Sequence, residues 1–144
     1  MKHYVLGLIF NKSEDKILLI EKQRPEWMAG CWNGIGGKIE EGETHEVAML
    51  REVVEETQIN WDYNSPYTHQ HVITFVCPGG TVFVYKIKVT TNYIAYRQTE
   101  DECLRVYCLN DLPDRMMSNL KWIIPLSLSS VQFPVIIQQN ALGV

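Results

Sequence analysis

The chain has 144 residues, 46% of them hydrophobic, and a formal net charge of −4. This length fits one domain, residues 1–144, with a substantial core, and the acidic balance excludes the basic footprint of a protein that binds a nucleic acid polymer. The four cysteines show no C-x-x-C spacing, and no apolar run is as long as a membrane helix. We therefore expect a reduced, cytoplasmic chain without a membrane partner.

The first half of the chain predicts a hairpin, a loop and a helix. Two apolar runs, residues 4–10 and 17–21, flank a polar turn and indicate two paired strands. Residues 24–37 are rich in Gly, Pro and Trp, which is typical of a loop. Residues 44–57 predict a helix with Thr44 as its N-cap.

The second half predicts further strands and a shorter helix. Residues 71–76 and 81–89 flank a Pro-Gly-Gly turn and indicate a second hairpin. Residues 104–109 predict another strand. Residues 118–129 predict a helix that Pro125 either delays or kinks, and the apolar tail from Val131 has no assigned structure. Strands mixed with two helices indicate an α+β or mixed α/β fold.

The first predicted helix has an aliphatic side and an acidic side. On a helical wheel of about 100° per residue, the expected core face carries Val47, Leu50 and Val54. The opposite side carries the carboxylates of Glu52, Glu55 and Glu56. Such a face is ordinarily a solvated surface. However, like charges three and four residues apart each destabilise a helix by roughly 0.2–0.5 kcal/mol, and a hard divalent cation would remove that conflict.

A glycine-rich turn precedes this acidic helix. Gly34, Gly36 and Gly37 allow a bare backbone to approach a ligand closely. Their carbonyl oxygens suit a hard cation, and the amides at the start of the following helix suit phosphate. Carboxylates, a divalent metal and phosphate together favour metal-assisted phosphate chemistry.

Residues 37–59 resemble the Nudix signature of the MutT/Nudix hydrolases, G-x5-E-x7-R-E-U-x-E-E-x-G-U, where U is bulky and aliphatic. Every defined position matches except Gln58, which stands where the family has Gly. That Gly ends the helix in a left-handed conformation, so either Gln58 adopts this conformation or the exit turn differs. The resemblance implies a Nudix-type mixed β-sheet sandwiched between helices.

The same resemblance implies roles for the motif residues. The metal ligands would be the carbonyl of Gly36 and the carboxylates of Glu52, Glu55 and Glu56, with Mg²⁺ as cofactor and Mn²⁺ as its substitute. Either Glu52 or Glu56 would orient or deprotonate the attacking water. Arg51 and Glu43 would support them, although a Glu at a helix start also interacts favourably with the helix dipole.

Three residues outside the helix are further candidates for the site. The family often takes another metal-binding Glu from a late loop. Glu100 and Glu102 lie in a matching acidic loop, and either could serve as this ligand. The alternative for both is a solvated loop. Lys38 is a candidate phosphate contact or an ordinary surface lysine.

The segment Trp32 to Gly37 resembles the W-N-G-x-G-G sequence of the oxidised-purine nucleoside triphosphatases in this family. That likeness makes Asn33 the candidate base reader, because an Asn amide can pair with a purine edge. Asn119 and Trp122 are the candidates for closing the pocket, although this subgroup has acidic residues where Asn119 stands. The alternatives are a helix cap for Asn119 and a core position for Trp122.

The resemblance therefore predicts a hydrolase that converts a nucleoside triphosphate, with an oxidised purine as one possibility, into a nucleoside monophosphate and pyrophosphate. A second hypothesis is a pyrophosphatase for ADP-ribose or another nucleoside diphosphate derivative. A third, from another class, is a non-catalytic module that binds nucleotides. The expected partner is a small nucleotide, and the chain is expected to be a monomer or a homodimer.

Overall fold

The computed structural model describes residues 2–61, 66–99 and 102–139. Within these ranges the chain forms eight strands, two α-helices and one short 3₁₀ helix. In chain order they are β1 (Lys2–Phe10), β2 (Lys16–Lys22), the 3₁₀ helix (Glu26–Met28), β3 (Cys31–Asn33), β4 (Ile35–Lys38), α1 (His45–Thr57), β5 (Thr68–Cys77), β6 (Gly80–Lys88), β7 (Cys103–Cys108), α2 (Leu120–Ser127) and β8 (Val135–Gln138).

The described strands form one mixed sheet. Its main path runs β3-β2-β1-β6-β5-β8, while β4 pairs with β1 and β7 pairs with β2. The contacts β1–β6 and β5–β8 are parallel, and the other contacts are antiparallel. Both predicted hairpins, β1–β2 and β5–β6, are confirmed, as is the predicted strand at β7.

Strands β1 and β2 pair only beside their connecting turn, where Ile9 lies opposite Leu18 and Phe10 opposite Ile17. Further from the turn, β4 pairs with β1 and β3 pairs with β2. The prediction of a loop over residues 24–37 is therefore wrong for Cys31–Asn33 and Ile35–Lys38. Glycine makes this pairing feasible, because a Cβ on Gly36 would collide with the carbonyl oxygen of Val5 on β1.

The two helices pack on opposite faces of the sheet. Helix α1 contributes Ala48, Met49 and Val53 to one hydrophobic cluster. Helix α2 contributes Leu120, Ile123 and Ile124 to a second cluster on the other face. This arrangement confirms the predicted fold class, a mixed sheet sandwiched between helices. In the described part of the chain, no helix is long and apolar enough to cross a membrane.

The predicted core face of α1 is wrong for Val47 and Val54, whereas Leu50 packs against the hydrophobic cluster on this side of the sheet. Val47 is 39% exposed and Val54 is 38% exposed, whereas Ala48, Met49 and Val53 are fully buried. The helix is rotated so that the side bearing Glu52 and Glu56 turns towards the sheet together with the buried residues. The wheel placed the carboxylates opposite the core, but Glu56 is itself among the buried residues, beside Met49 and Val53.

The ends of α1 follow the sequence prediction closely. The Thr44 hydroxyl accepts a hydrogen bond from the amide of Val47 at 3.2 Å, as an N-cap does. At the other end, Gln58 takes the left-handed conformation, with φ 60° and ψ 15°. Its Nε2 donates to the carbonyls of Val54 and Glu55 at 3.3 and 3.1 Å. Gln58 therefore replaces the expected Gly while satisfying two carbonyls at the helix end.

The last elements are shorter than predicted or new. Helix α2 begins at Leu120 instead of 118, and Pro125 lies inside it. The tail that had no assigned structure contains β8, whose Ile136 pairs with Thr74 in β5. In addition, Met116 bridges to Trp32 in β3, so the segment before α2 is held beside the glycine-rich strands.

Candidate active site

Glu56 connects α1 to the glycine-rich strand. Its Oε1 accepts a hydrogen bond from the amide of Gly36 at 2.9 Å, and the residue is buried. Burial raises the pKa of Glu56 to about 8, while the charge of Lys22 opposes the rise and the charge of Glu52 adds to it. A buried carboxylate with a second carboxylate nearby is a site where a cation would be strongly stabilised.

Glu52 lies one helical turn before Glu56 and meets the adjacent glycine. A Cβ on Gly37 would collide with Oε1 of Glu52. Glycine at this position therefore allows the carboxylate to touch the backbone of β4. The glycine turn and the acidic helix, which the sequence analysis assigns to one metal site, therefore form one wall.

Arg51 organises the carboxylates around it. Its Nε and Nη2 donate to Glu43 at 2.7 and 2.8 Å, and its Nη1 donates to Glu52 at 2.9 Å. Nη2 also donates to the carbonyl of Lys38 at 3.1 Å. The two hydrogen bonds from Arg51 lower the pKa of Glu43 to about 2. Arg51 thus fixes Glu52 and links α1 to the loop and strand before it.

Glu55 is placed differently from its two neighbours. Its side chain is 58% exposed and its Oε2 accepts from Nη1 of Arg51 at 3.3 Å. Over residues 2–61, 66–99 and 102–139, no group of three His, Cys, Asp or Glu side chains has the geometry of a metal site. Glu52, Glu56 and the carbonyl of Gly36 nevertheless provide oxygen donors that fit a hard divalent cation, and Glu55 would join them by exchanging its Arg51 contact.

One residue of the late acidic loop acts electrostatically on Glu56. The charge of Glu102 contributes to the raised pKa of Glu56. Glu102 is therefore electrostatically coupled to the buried carboxylate. Glu100, the other candidate from this loop, lies outside the described residues.

A cavity of about 530 Å³ adjoins this wall. Gly36 and Gly37, which Glu56 and Glu52 contact, line it, and so do Asn33 and Asn119. Asn119 occupies the N-cap position of α2, but among the described residues its side chain makes no capping hydrogen bond. Its amide is therefore available to a ligand. Asn33 Oδ1 accepts from the amide of Gly34 at 2.8 Å, which fixes the orientation of the Asn33 side chain.

Two predicted substrate contacts do not line this cavity. Trp122 is half-buried and packs edge-on against Phe75, with ring centroids 5.5 Å apart, so its predicted role in closing the pocket is not supported. Lys38 ends β4 as an exposed side chain, and its carbonyl, not its ammonium, is tied to Arg51. The alternatives of a packing role for Trp122 and a surface position for Lys38 agree with this placement.

Three residues that line the cavity were not predicted from the sequence. They are Lys22 at the end of β2, and Arg24 and Trp27 in the segment between β2 and β3. A signal was present in the sequence, because two cations and a Trp lie within ten residues before Trp32. Residues 24–37 were predicted only as a loop, and a loop prediction does not say which side chains face a cavity.

The four histidines of the chain lie together beside the start of α1. The His45 ring stacks on Phe83 with centroids 4.3 Å apart, and its Nδ1 lies 2.5 Å from the Tyr85 hydroxyl. His71 is 5.0 Å from His45, and His3 and His69 pack on the same two aromatic rings. This cluster supports the N-terminal turn of the helix that carries the carboxylates.

The sequence was compared with known families and curated proteins. The family model for the NUDIX domain matches residues 1–125. A mouse protein named oxidized purine nucleoside triphosphate hydrolase is 42% identical over 59 residues. That alignment covers 41% of this chain and 36% of the mouse protein, so the match spans little more than a third of the relative's length.

Two solved structures show how far the fold likeness extends. A structure described as MutT from Aliivibrio salmonicida and Vibrio cholerae is 25% identical, with a TM-score of 0.67 over 89% of this chain and 98% of that chain. A structure described as an ADP-ribose pyrophosphatase from Streptococcus suis also has a TM-score of 0.67, over 96% and 98% of the two chains. Its identity is 18%, so it supports the fold alone.

Proposed function

Because the chain belongs to the NUDIX domain family, whose hydrolases generally use divalent metal ions, we propose that it hydrolyses a nucleoside triphosphate to a nucleoside monophosphate and pyrophosphate. One observation carries this proposal. The buried Glu56 and the half-buried Glu52 lie against Gly36 and Gly37, and the same glycines line a cavity of about 530 Å³ that Asn33 also lines. In this proposal residues 1–144 act as one cytoplasmic domain on a small nucleotide, as a monomer or homodimer.

Mg²⁺ is the proposed cofactor, with Mn²⁺ as its substitute. Glu52, Glu56 and the carbonyl of Gly36 would hold it, and Glu55 with Glu100 or Glu102 would complete the oxygen ligands. When bound, the ion neutralises phosphate charge and lowers the pKa of water. The burial of Glu56 beside a second negative charge supports this proposal.

The chain's own residues orient the reacting water. The water oxygen forms a bond to either the α- or the β-phosphorus. The bond between that phosphorus and the oxygen that bridges the two phosphates breaks. The electron pair leaves with the bridging oxygen, and the proton of the water passes to a carboxylate. Glu52 or Glu56 is the proposed acceptor, since both carboxylates lie against the glycine backbone of β4. Arg51 is a positioning residue that holds Glu52 at 2.9 Å.

Two amide side chains in the lining of the cavity support recognition of a base. Asn33 and Asn119 both line the cavity and carry amides that can donate to and accept from a base edge. The likeness to the mouse oxidized purine nucleoside triphosphate hydrolase favours an oxidised purine as that base. We therefore propose a purine nucleoside triphosphate as the substrate class.

The test is product analysis by chromatography after incubation with Mg²⁺. The substrates are the standard and oxidised deoxynucleoside triphosphates, ADP-ribose and a dinucleoside polyphosphate. We expect monophosphate and pyrophosphate from a triphosphate, with no turnover in EDTA. Turnover confined to ADP-ribose or the dinucleoside polyphosphate would overturn the substrate class. Absence of turnover with every substrate would favour a non-catalytic module that binds nucleotides.

A matched pair of variants keeps this test specific to the site. Glu56→Gln removes the buried carboxylate, whereas Glu41→Gln removes an exposed one from the loop before the helix. We expect Glu41→Gln to match the wild type. Equal losses of turnover in both variants would contradict the assignment of Glu56.

A further inference from the structure

Trp27 combines two properties that seldom occur together. It lines the cavity from the 3₁₀ helix Glu26–Met28, and it is nevertheless 76% exposed. A tryptophan left in water at the mouth of a cavity has apolar surface available for a ligand. A purely structural Trp would be expected to bury its ring in the core, as Trp61 does at 3% exposed.

The other aromatic residues of the cavity are less available. Besides Trp27, the lining includes Tyr4 and Phe75. Phe75 is 7% exposed and packs against Trp122, and Tyr4 is half-buried in β1. Trp27 therefore has the most accessible ring among the described residues that line this cavity.

The neighbours of Trp27 fit the rest of a nucleotide. Lys22 at the end of β2 and Arg24 just after it also line the cavity, and the charge of Lys22 lowers the pKa of Glu56 on the carboxylate wall. In the described part of the chain, neither cation forms an ion pair. Positive charge next to the carboxylate wall suits phosphates, and an aromatic ring further along the segment suits a base.

We propose that Trp27 is the specificity-determining residue that stacks on the face of the nucleobase, while Asn33 contacts its edge. This inference rests on the proposed function and deepens it. The aromatic wall comes from the segment between β2 and β3, and not from Trp122 on α2. Since every base has a π face, Trp27 selects for substrates that carry a base, and the Asn amides discriminate among bases.

The test measures the affinity of two probes by isothermal titration calorimetry with Mg²⁺ present. The probes are a non-hydrolysable α,β-methylene deoxyguanosine triphosphate and inorganic tripolyphosphate, which lacks a base. Trp27→Ala is compared with Trp27→Phe, which keeps a stacking ring. The matched control is Tyr93→Ala, because Tyr93 is also 76% exposed but lies outside this cavity.

We expect Trp27→Ala to weaken the nucleotide at least about fivefold and to leave tripolyphosphate unchanged. Trp27→Phe should recover most of the affinity, and Tyr93→Ala should match the wild type. Nucleotide binding should also quench the tryptophan emission of the wild type and not that of Trp27→Phe. Unchanged nucleotide affinity in Trp27→Ala, or equal losses for both probes, would overturn the stacking role.

Wild-type turnover separates this inference from the proposed function. If the wild type hydrolyses triphosphates and Trp27→Ala binds them as tightly, only the stacking role fails. If the wild type neither binds nor hydrolyses a triphosphate, the proposed function fails with it.

Discussion

The carboxylate of Glu56 accepts a hydrogen bond from the backbone amide of Gly36 at 2.9 Å, across a separation of 20 residues in the chain. This contact joins the acidic helix to the glycine-rich strand. It holds a carboxylate in a buried position, where its pKa rises to about 8. The two local motifs become one site through this contact.

Glu56 should make the metal-free protein less stable as the pH rises. Its pKa is about 8 in the folded chain against an ordinary value of 4.5, so the folded state binds more protons between these values. The free energy of unfolding then falls with increasing pH in this window. The measurement is urea unfolding in EDTA at pH 5 and pH 8. Between these values the free energy of unfolding of the wild type should fall by at least about 1 kcal/mol more than that of Glu56→Gln.

Mg²⁺ provides the control for this pH effect. A cation on the ionised carboxylates should stabilise the wild type more at pH 8 than at pH 5. If the free energies of unfolding of the wild type and Glu56→Gln change with pH in parallel, the pKa of Glu56 is not raised in the folded chain.

Arg51 should contribute to stability through the carboxylates it holds. Its side chain is 22% exposed, and those of Glu43 and Glu52 are 14% and 13% exposed. Arg51→Ala would leave both carboxylates without this charged donor, and we expect a loss of about 2–4 kcal/mol in urea unfolding. Arg97→Ala, at an exposed arginine, should change stability by less than about 0.5 kcal/mol. Similar effects of the two variants would refute the organising role of Arg51.

The three carboxylates of α1 should not contribute equally to turnover. Glu52 touches the Gly37 backbone, whereas the side chain of Glu55 is 58% exposed and bonds to Arg51. We expect Glu52→Gln to reduce kcat at least about 100-fold and Glu55→Gln to reduce it by less than about tenfold. Steady-state kinetics at saturating Mg²⁺ measures both. A larger loss for Glu55→Gln would place the principal ligand on the solvent side of the helix.

Acid should weaken the histidine cluster. Burial lowers the pKa of His71 below its ordinary value of 6.5, and His45 lowers it further. The unfolded chain then binds more protons than the folded chain, so this part of the stability is complete above pH 6.5 and is lost as the pH falls below it. The groups facing His71 include His45 on α1 and Tyr85 on β6, while His69 on the same strand contacts Glu46 at 3.6 Å.

The measurement compares His71→Leu with the wild type by thermal unfolding at pH 7.5 and pH 5. The variant should gain stability relative to the wild type as the pH is lowered, because it has no imidazole to protonate. The control is His3→Gln, at an exposed histidine of the same cluster. Its thermal stability should change between pH 7.5 and pH 5 by the same amount as that of the wild type. A constant difference between His71→Leu and the wild type would contradict the cause assigned to the pKa.

Local chemistry allowed much of the fold to be predicted. The hairpins follow from apolar runs around turns, and Thr44 and the motif spacing placed the ends of α1 within a residue. Residues 31–38 were missed because glycines have low strand propensity. Only the position of the β1 backbone, which leaves no room for a Cβ at Gly36, explains why they pair there.

The orientation of α1 shows a second limit of sequence reasoning. The wheel placed Val47 and Val54 in the core and the carboxylates on the opposite side, whereas Glu56 is buried beside Met49 and Val53. Burial of Glu56 depends on the Gly36 amide as a partner, which is 20 residues away in sequence. In the same way, the placement of Trp27 in the cavity, and of Trp122 against Phe75, depends on tertiary packing that no local pattern encodes.

The most direct measurement of the central claim is ³¹P NMR of a purine nucleoside triphosphate with Mg²⁺ and either wild type or Glu56→Gln. The site predicts pyrophosphate and monophosphate from the wild type, and at least about 100-fold slower release from a folded Glu56→Gln variant. Release of inorganic phosphate and a nucleoside diphosphate, or an unchanged rate of hydrolysis in Glu56→Gln, would contradict this account of the site.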